Sequence, residues 1–154
     1  MISATCQYAL RALIQLARLP QGQSMLGREL AERADIPANY LSKVLLALRN
    51  AGLLSTARGS GGGYSLCRLP EEVHLIDVVE IFDAPRARPA CLLGKEECSD
   101  HDPCSAHQAW RGVRTAYIRF LENTTLADIA GRGRAVRGAA GGAGGGLPQG
   151  GDLG

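Results

Sequence analysis

Four side chains that can bind metal are concentrated in one short segment of the chain. Cys91, Cys98, Cys104 and His107 lie in the sequence CLLGKEECSDHDPCSAH, and only two of the five cysteines lie outside it. Thiolate sulfur and imidazole nitrogen are ligands that proteins use for iron–sulfur clusters and zinc ions. Exposed free thiols are otherwise a reactivity hazard. The clustering therefore predicts a metal or cluster site on a loop.

The spacing of the cysteines bears on three kinds of chemistry. Six residues lie between Cys91 and Cys98 and five between Cys98 and Cys104, whereas structural zinc sites usually take cysteines about two to four residues apart. The wider gaps favour ligands wrapped around a larger iron–sulfur cluster, with zinc as the competitor. A switch based on free thiols is the third hypothesis. The four acidic residues from Glu96 to Asp102 argue against it, because nearby negative charge raises thiol pKa values.

The formal charge of +2 is divided unevenly along the chain. Residues 1–70 contain eight Lys and Arg against three Asp and Glu, a net charge of +5. Residues 71–130 contain six against eleven, a net charge of −5. A basic N-terminal half suits contact with phosphates, whereas the acidic segment indicates a different task.

The sequence predicts a cytoplasmic protein without membrane contact. Arg11 interrupts the apolar N-terminal run, and no segment approaches the roughly 18 apolar residues of a membrane span. Five cysteines are an odd number, which argues against a closed disulfide framework. We therefore expect thiols that stay reduced and available to metal.

The pattern of the first half predicts a winged helix-turn-helix. Apolar periodicity indicates helices over residues 3–18 and 26–33, and a third helix that Pro37 opens and Gly52 ends. Two short strands within residues 53–66, joined by a glycine-rich tip, form the wing. A fourth helix follows at about residues 75–82. The fold class is therefore mainly α.

The second half predicts a loop followed by a dimerisation helix. A helix over residues 106–121 repeats apolar residues every three or four positions, and so large an apolar face needs a partner. Its apolar residues are Trp110, Val113, Ala116, Tyr117, Phe120 and Leu121. Packing back on its own chain is the alternative. From Gly131 onward, 11 of 24 residues are glycine, which predicts a disordered tail.

These patterns divide the chain into four parts. We expect a DNA-binding domain over residues 1–83, a cluster-binding loop over residues 84–105, a dimerisation helix region over residues 106–130 and the glycine-rich tail over residues 131–154.

The exposed side of the third helix and the wing carry the candidate DNA contacts. The N-terminal side chains of a reading helix meet base edges in the major groove, while an arginine on a wing can enter a narrow minor groove. The expected contacts are Asn39, Tyr40, Ser42, Lys43 and Arg49 on the helix, with Arg58 and Gly61 on the wing. A helix-turn-helix that binds protein instead of DNA is the alternative.

Together these motifs resemble a known family. The segments SATCQYALRALIQLA, ELAERADIPANYLSKVLLALRNAGLL and RGSGGGYSL, followed by the cysteine loop and a Trp-containing helix, are similar to the Rrf-two family of bacterial transcription regulators. Its iron–sulfur members are typified by IscR and NsrR. The resemblance covers about residues 1–130.

The resemblance implies a ligand set for a cluster. Cys91, Cys98 and Cys104 would supply three thiolates, and His107 matches the histidine that completes a two-iron cluster in IscR-like members. The first gap is one residue longer than in the well-known members, which leaves the subfamily open. NsrR-like members complete a four-iron cluster with an aspartate in the partner's first helix, where this chain has no carboxylate. We expect a 2Fe-2S cluster, with 4Fe-4S as the alternative.

Several other groups compete to be the fourth ligand. The alternatives to the His107 imidazole are Cys6 reaching across a dimer, His101, a nearby carboxylate and an exogenous ligand. We expect Cys6 and Cys67 to be packing residues.

The resulting hypothesis is a homodimeric transcription regulator whose binding to a quasi-palindromic double-stranded operator is controlled by an iron–sulfur cluster. Two reading helices would enter successive major grooves about 34–36 Å apart. A regulator that uses zinc, free thiols or a small-molecule effector is the alternative. An enzyme or electron carrier is the hypothesis from another class. It is not favoured, because Gly59 to Gly63 joins two strands and opens no helix, unlike a phosphate-binding loop.

Overall fold

The structure is a computed structural model that describes residues 2–59, 62–87, 91–95 and 99–131. Two of the expected site residues, Gly61 and Cys98, lie outside the described residues, as does the predicted disordered tail from residue 132 onward.

Three helices form the N-terminal half of the fold, as the periodicity predicted. They are α1 (Ala4–Ala17), α2 (Gly27–Ala34) and α3 (Ala38–Asn50). Their apolar faces meet in one core, because residues three and four apart share a side of a helix. Its largest fully buried side chains include Leu13, Leu30, Leu41, Leu45 and Leu48.

The ends of these helices follow local chemistry. The Ser3 hydroxyl accepts the Cys6 amide N–H and caps α1, which satisfies one of the unpaired donors of its first turn. Pro37 is the residue before α3 and not its first residue, a shift of one position from the prediction. Gly52, with φ of 77°, lies just beyond α3 in the left-handed region, which confirms the predicted glycine cap.

The wing is an antiparallel pair of strands, β1 (Leu54–Ala57) and β2 (Gly63–Leu66). The backbone of Met25, just before α2, pairs with Tyr64 through hydrogen bonds of 3.0 and 2.8 Å. A Cβ atom on Gly63 would lie 2.6 Å from the Met25 carbonyl oxygen. At least one glycine of the wing is therefore required by the packing of the wing itself.

The remaining elements complete the core. A 3₁₀ turn (Pro70–Glu72) leads into α4 (Leu75–Phe82), and α5 (His107–Asn123) follows the cysteine loop. A short helix, α6 (Leu126–Ile129), was not predicted. It packs on α1 and buries Leu126 in the main core. No helix within the described residues is long and apolar enough to cross a membrane.

Helix α5 divides its apolar residues between two sides. Leu121 is fully buried and Tyr117 is half-buried against α1 and α4. Val113 and Phe120 are 52% and 43% exposed. The helix therefore packs partly on its own chain and also presents an apolar strip to the outside.

The two cysteines outside the loop differ in environment. Cys6 is fully buried in the smaller core beside Leu121, as predicted for a packing residue. Burial raises the pKa of its thiol to about 12, and the charge of Asp83 and a hydrogen bond to it act in the same direction. Cys67 is exposed at the end of the wing, so its prediction as a packing residue is wrong. Its backbone N–H still donates to the Leu53 carbonyl oxygen at 3.0 Å, while its side chain lies on the outer surface.

This difference predicts selective alkylation. In the folded protein at about pH 8, Cys6 should react with iodoacetamide more than a hundredfold more slowly than Cys67, because only thiolate reacts and burial keeps Cys6 protonated. Peptide mass spectrometry over time measures both rates. In denaturant the two rates should converge. Equal rates in the folded protein would contradict the burial of Cys6.

Candidate functional site

Two of the three loop cysteines lie next to each other. The Sγ atoms of Cys91 and Cys104 are 3.8 Å apart, and both side chains are half-buried. A tetrahedral ion with metal–sulfur bonds of about 2.3 Å holds two of its sulfurs roughly 3.8 Å apart. The described pair therefore fits two ligands of one metal ion, either in a cluster or as zinc.

His107 lies beside this pair at the start of α5. Its backbone N–H donates to the Cys104 carbonyl oxygen at 3.0 Å, and its Nε2 is 3.1 Å from Asp100 Oδ1. The Arg111 guanidinium donates to the same carboxylate oxygen at 2.8 Å. The hydrogen bond with His107 and then the charge of Arg111 lower the pKa of Asp100. Asp100 thereby fastens the loop to the first turn of α5.

The described residues give an incomplete metal site. Within them, no three Cys, His, Asp or Glu side chains converge in a way that could hold an ion. The third expected thiol, Cys98, lies outside the described residues. The alternative ligand His101 is exposed, and Cys6 belongs to the core described above.

The chain that leaves α4 is also fastened to α5. Ala84 has φ of 42°, which is a costly conformation for a residue with a Cβ atom. Arg114 donates to the carbonyl oxygens of Pro85 and Arg86 at 3.1 and 3.2 Å, and Arg86 forms an ion pair with Glu122. Sequence reasoning did not find these contacts, because no local pattern links residues so far apart.

The expected DNA contacts of α3 lie on its exposed side. Asn39, Ser42, Lys43 and Arg49 are all exposed. The Ser42 hydroxyl donates to the carbonyl oxygen of Ala38 at 3.0 Å, so Ser42 can accept a hydrogen bond from a base but would have to break that bond to donate one. The remaining three side chains extend from the core to the outside, as a reading helix requires.

Tyr40 makes contacts that the sequence did not reveal. Its hydroxyl is 3.2 Å from Thr5 Oγ1, and its ring meets Tyr8 edge-on with 5.3 Å between centroids. The side chain is still 40% exposed. Tyr40 therefore joins the start of α3 to α1 in addition to facing outward.

Arg58 lies at the outer end of the wing. It follows β1 directly and is exposed. Gly59 follows it with φ of 115°, and the Gly62 N–H donates to the Gly59 carbonyl oxygen at 2.9 Å. Arg58 thus projects from a tight turn at the edge of the molecule.

Known proteins are similar to this chain in sequence and in fold. The model of the Rrf2 (Rrf-two) family, described as an iron-dependent transcriptional regulator, matches residues 2–132. The HTH-type transcriptional regulator IscR of Serratia proteamaculans is 32% identical over 123 residues, which cover 80% of this chain and 74% of that protein.

Two solved structures are similar in fold. CymR, the global cysteine regulator of B. subtilis, has a TM-score of 0.72 and 27% identity, covering 85% of this chain and 96% of that one. T. potens IscR has a TM-score of 0.66 and 26% identity, covering 84% of this chain and 85% of that one. The role these proteins share is regulation of transcription and not catalysis. The winged helix-turn-helix and the extent of the family match establish that this chain belongs to the Rrf2 family of DNA-binding transcription regulators.

Proposed function

We propose that this protein is a homodimeric regulator whose operator binding is controlled by an iron–sulfur cluster held by Cys91, Cys98, Cys104 and His107. The observation that carries the proposal is the 3.8 Å separation of the Cys91 and Cys104 sulfurs beside the first turn of α5. The iron-dependent description of the family and the likeness to IscR support iron over other metals.

Each part of the loop has a task in this proposal. A bound cluster would supply a centre that changes with iron, oxidants or nitric oxide. Cys91 and Cys104 bring the two ends of the cysteine segment together, and His107 ties that segment to α5. The hydrogen bonds of Asp100 to His107 and Arg111 hold the imidazole in place. In this proposal, residues 84–105 form the sensing loop.

DNA binding is assigned to residues 1–83. Asn39 and Lys43, on the first two turns of α3, are positioned to meet base edges, and Arg49 is positioned for a phosphate. Tyr40 and Ser42 would flank them. On the wing we assign Arg58, with Gly61, to the backbone or the minor groove. The assignments on α3 and that of Arg58 rest on exposed side chains, whereas that of Gly61 rests on the sequence alone.

Dimerisation is assigned to α5, within residues 106–130. Val113 and Phe120 lie seven positions apart and are both exposed, so they share one side of the helix. A second copy of the same strip, running antiparallel, would bury both residues in a closed two-fold interface. Because each loop precedes α5, this antiparallel interface would place the two loops at opposite ends of the helix pair.

A second candidate uses the same two sulfurs. A disulfide needs its sulfurs about 2.05 Å apart, so a small approach of the two sulfurs would join Cys91 to Cys104. Zinc would occupy a similar position. The likeness to the global cysteine regulator CymR favours keeping this thiol-based or zinc-based alternative.

The cluster proposal predicts coloured protein. Protein purified without oxygen should absorb broadly between roughly 320 and 460 nm and should contain iron and acid-labile sulfide. Cys104→Ala should lose this absorption, because it removes one of the paired thiolates. Cys67→Ala is the matched control and should retain it.

Three outcomes separate the candidates. Colourless protein that gains no colour with iron and sulfide would overturn the cluster. Stoichiometric zinc, lost in Cys104→Ala, would establish the zinc alternative. An intact mass about 2 Da below that of the reduced chain, corresponding to one disulfide, would establish the thiol switch.

The wing assignment predicts a change in salt dependence. Arg58→Ala should weaken operator binding and flatten the slope of log K against log salt by about 0.9 for each phosphate that the arginine neutralises. The visible absorption of the protein should not change. Arg119→Ala removes the same charge from α5 and should leave the slope unaltered. An unchanged affinity and slope in Arg58→Ala would overturn the assignment.

The dimer assignment predicts that one charge introduced into the apolar strip of α5 dissociates the dimer. Val113→Lys should weaken self-association at least tenfold, because the strip would then bury an unpaired ammonium. Sedimentation should shift toward the 16.2 kDa mass of one chain. Thr115→Lys places the same charge on another side of α5 and should sediment as the unaltered protein does. A dimer unaffected by Val113→Lys would place the interface elsewhere.

A further inference from the structure

The first turn of α1 contacts two distant parts of the fold. At Ser3 and Cys6 it meets Asp83, the residue that ends α4 immediately before the cysteine loop. At Thr5, between those two residues, it meets Tyr40 near the start of α3. Four consecutive residues therefore lie between the entrance of the loop and the reading helix.

The contact with Asp83 is buried. Asp83 is only 6% exposed, and its carboxylate accepts the Ser3 backbone N–H at 2.9 Å. The Cys6 thiol forms a second hydrogen bond to the same carboxylate. A carboxylate at a helix N-terminus also interacts favourably with the helix dipole. Since a buried charge is costly without its partners, the position of Asp83 is tied to that of α1.

The backbone after Asp83 is held in one arrangement. Ala84 is in the left-handed region with φ of 42°, and Arg114 of α5 donates to the two carbonyl oxygens that follow. A residue with a Cβ atom adopts this conformation only when its surroundings impose it. A rearrangement of the loop that displaces Pro85 or Arg86 relative to α5 would therefore act on the segment next to Asp83.

The contact with α3 is at the surface and is specific. The Tyr40 hydroxyl is 3.2 Å from Thr5 Oγ1, and the Tyr40 ring packs on Tyr8, one turn further along α1. Tyr40 also donates its backbone N–H to the Pro37 carbonyl oxygen at 2.9 Å, within the first turn of α3. A shift of the first turn of α1 would thus displace Tyr40 and the start of α3.

We propose that residues 3–6 act as a relay, in which Asp83 and Thr5 position the start of the reading helix according to the state of the cysteine loop. Neither residue touches DNA or a loop cysteine in this role; they are positioning residues. The inference rests on the proposed function, because it assumes that α3 reads DNA and that the loop senses a signal. It requires no particular chemistry at the cysteines.

A double-mutant cycle tests the relay without a cluster. Operator affinity is measured for reduced, iron-free protein carrying Asp83→Asn, Thr5→Val or both. Each single change interrupts the same connection, so each should weaken binding about fivefold, and the pair should weaken it about fivefold as well, not the roughly twenty-fivefold of independent sites. Thr115→Val on α5 is the matched control and should combine with Asp83→Asn additively.

Hydrogen exchange gives a second readout that needs no DNA. The backbone N–H groups of Tyr40 and Leu41 both donate to Pro37, and Asp83→Asn should make them exchange several-fold faster. In the Thr5→Val background, Asp83→Asn should add no further increase. Unchanged hydrogen exchange at the start of α3 in Asp83→Asn would overturn the relay. Effects of Asp83→Asn and Thr5→Val on operator affinity that multiply in the double variant would overturn it as well. Loss of the cluster absorption bears only on the proposed function, so the two failures are distinguishable.

A substitution at Ser3 replaces Asp83→Asn if that variant does not fold. Ser3 has φ of −66°, close to the value that proline imposes. Both Ser3→Pro and Ser3→Gly lose the Ser3 hydroxyl. Only Ser3→Pro also removes the backbone N–H that donates to Asp83. Ser3→Pro should expose the Tyr40 amide to exchange more than Ser3→Gly does. Equal exchange in these two variants would also contradict the relay.

Discussion

The apolar face of α1 is the packing surface on which the other elements depend. Helices α2, α3, α4 and α6 and strand β2 all pack on it. Leu13 on this face is fully buried, and burial of such a side chain contributes about 1.5–3 kcal/mol. Leu10, Phe82 and Ile129 pack against both the main core and the smaller core beneath α5. The winged helix-turn-helix and α5 are therefore parts of one packed unit.

The polar contacts around this unit differ in strength. Arg86 with Glu122 and Arg111 with Asp100 are exposed ion pairs, and solvent screening leaves such pairs little effect on stability. Asp83 is buried, and removing its partners would leave an uncompensated charge. The loop is thus held firmly at its entrance and weakly along α5. In the proposed relay, a change at the cysteines would rearrange the weakly held part of the loop, and its effect would pass through Asp83.

The sequence predicts most of the helices but few of the contacts between them. Helices α1 to α4 follow from apolar periodicity, and Gly52 marks the end of α3 as glycines do. Helix α6 has only four residues, too few for a periodic signal, although the Thr125 cap with Asp128 was present in the sequence. The pairs Asp83–Ser3 and Tyr40–Thr5 are 80 and 35 positions apart, so no local pattern can reveal them. The glycines of the wing suggest close approach to DNA, whereas Gly63 is needed for the approach of Met25.

The two loop sulfurs explain why the fold suits several kinds of sensor chemistry. Cys91 and Cys104 are thirteen positions apart along the chain and 3.8 Å apart in space, so much of the entropy lost on closing that segment is already lost in the fold. A metal ion, a cluster or a disulfide would each draw on this preorganisation. Each would also link the segment that follows Ala84, in its costly conformation, to the start of α5. The third thiol and the imidazole would then determine which of these chemistries the site accepts.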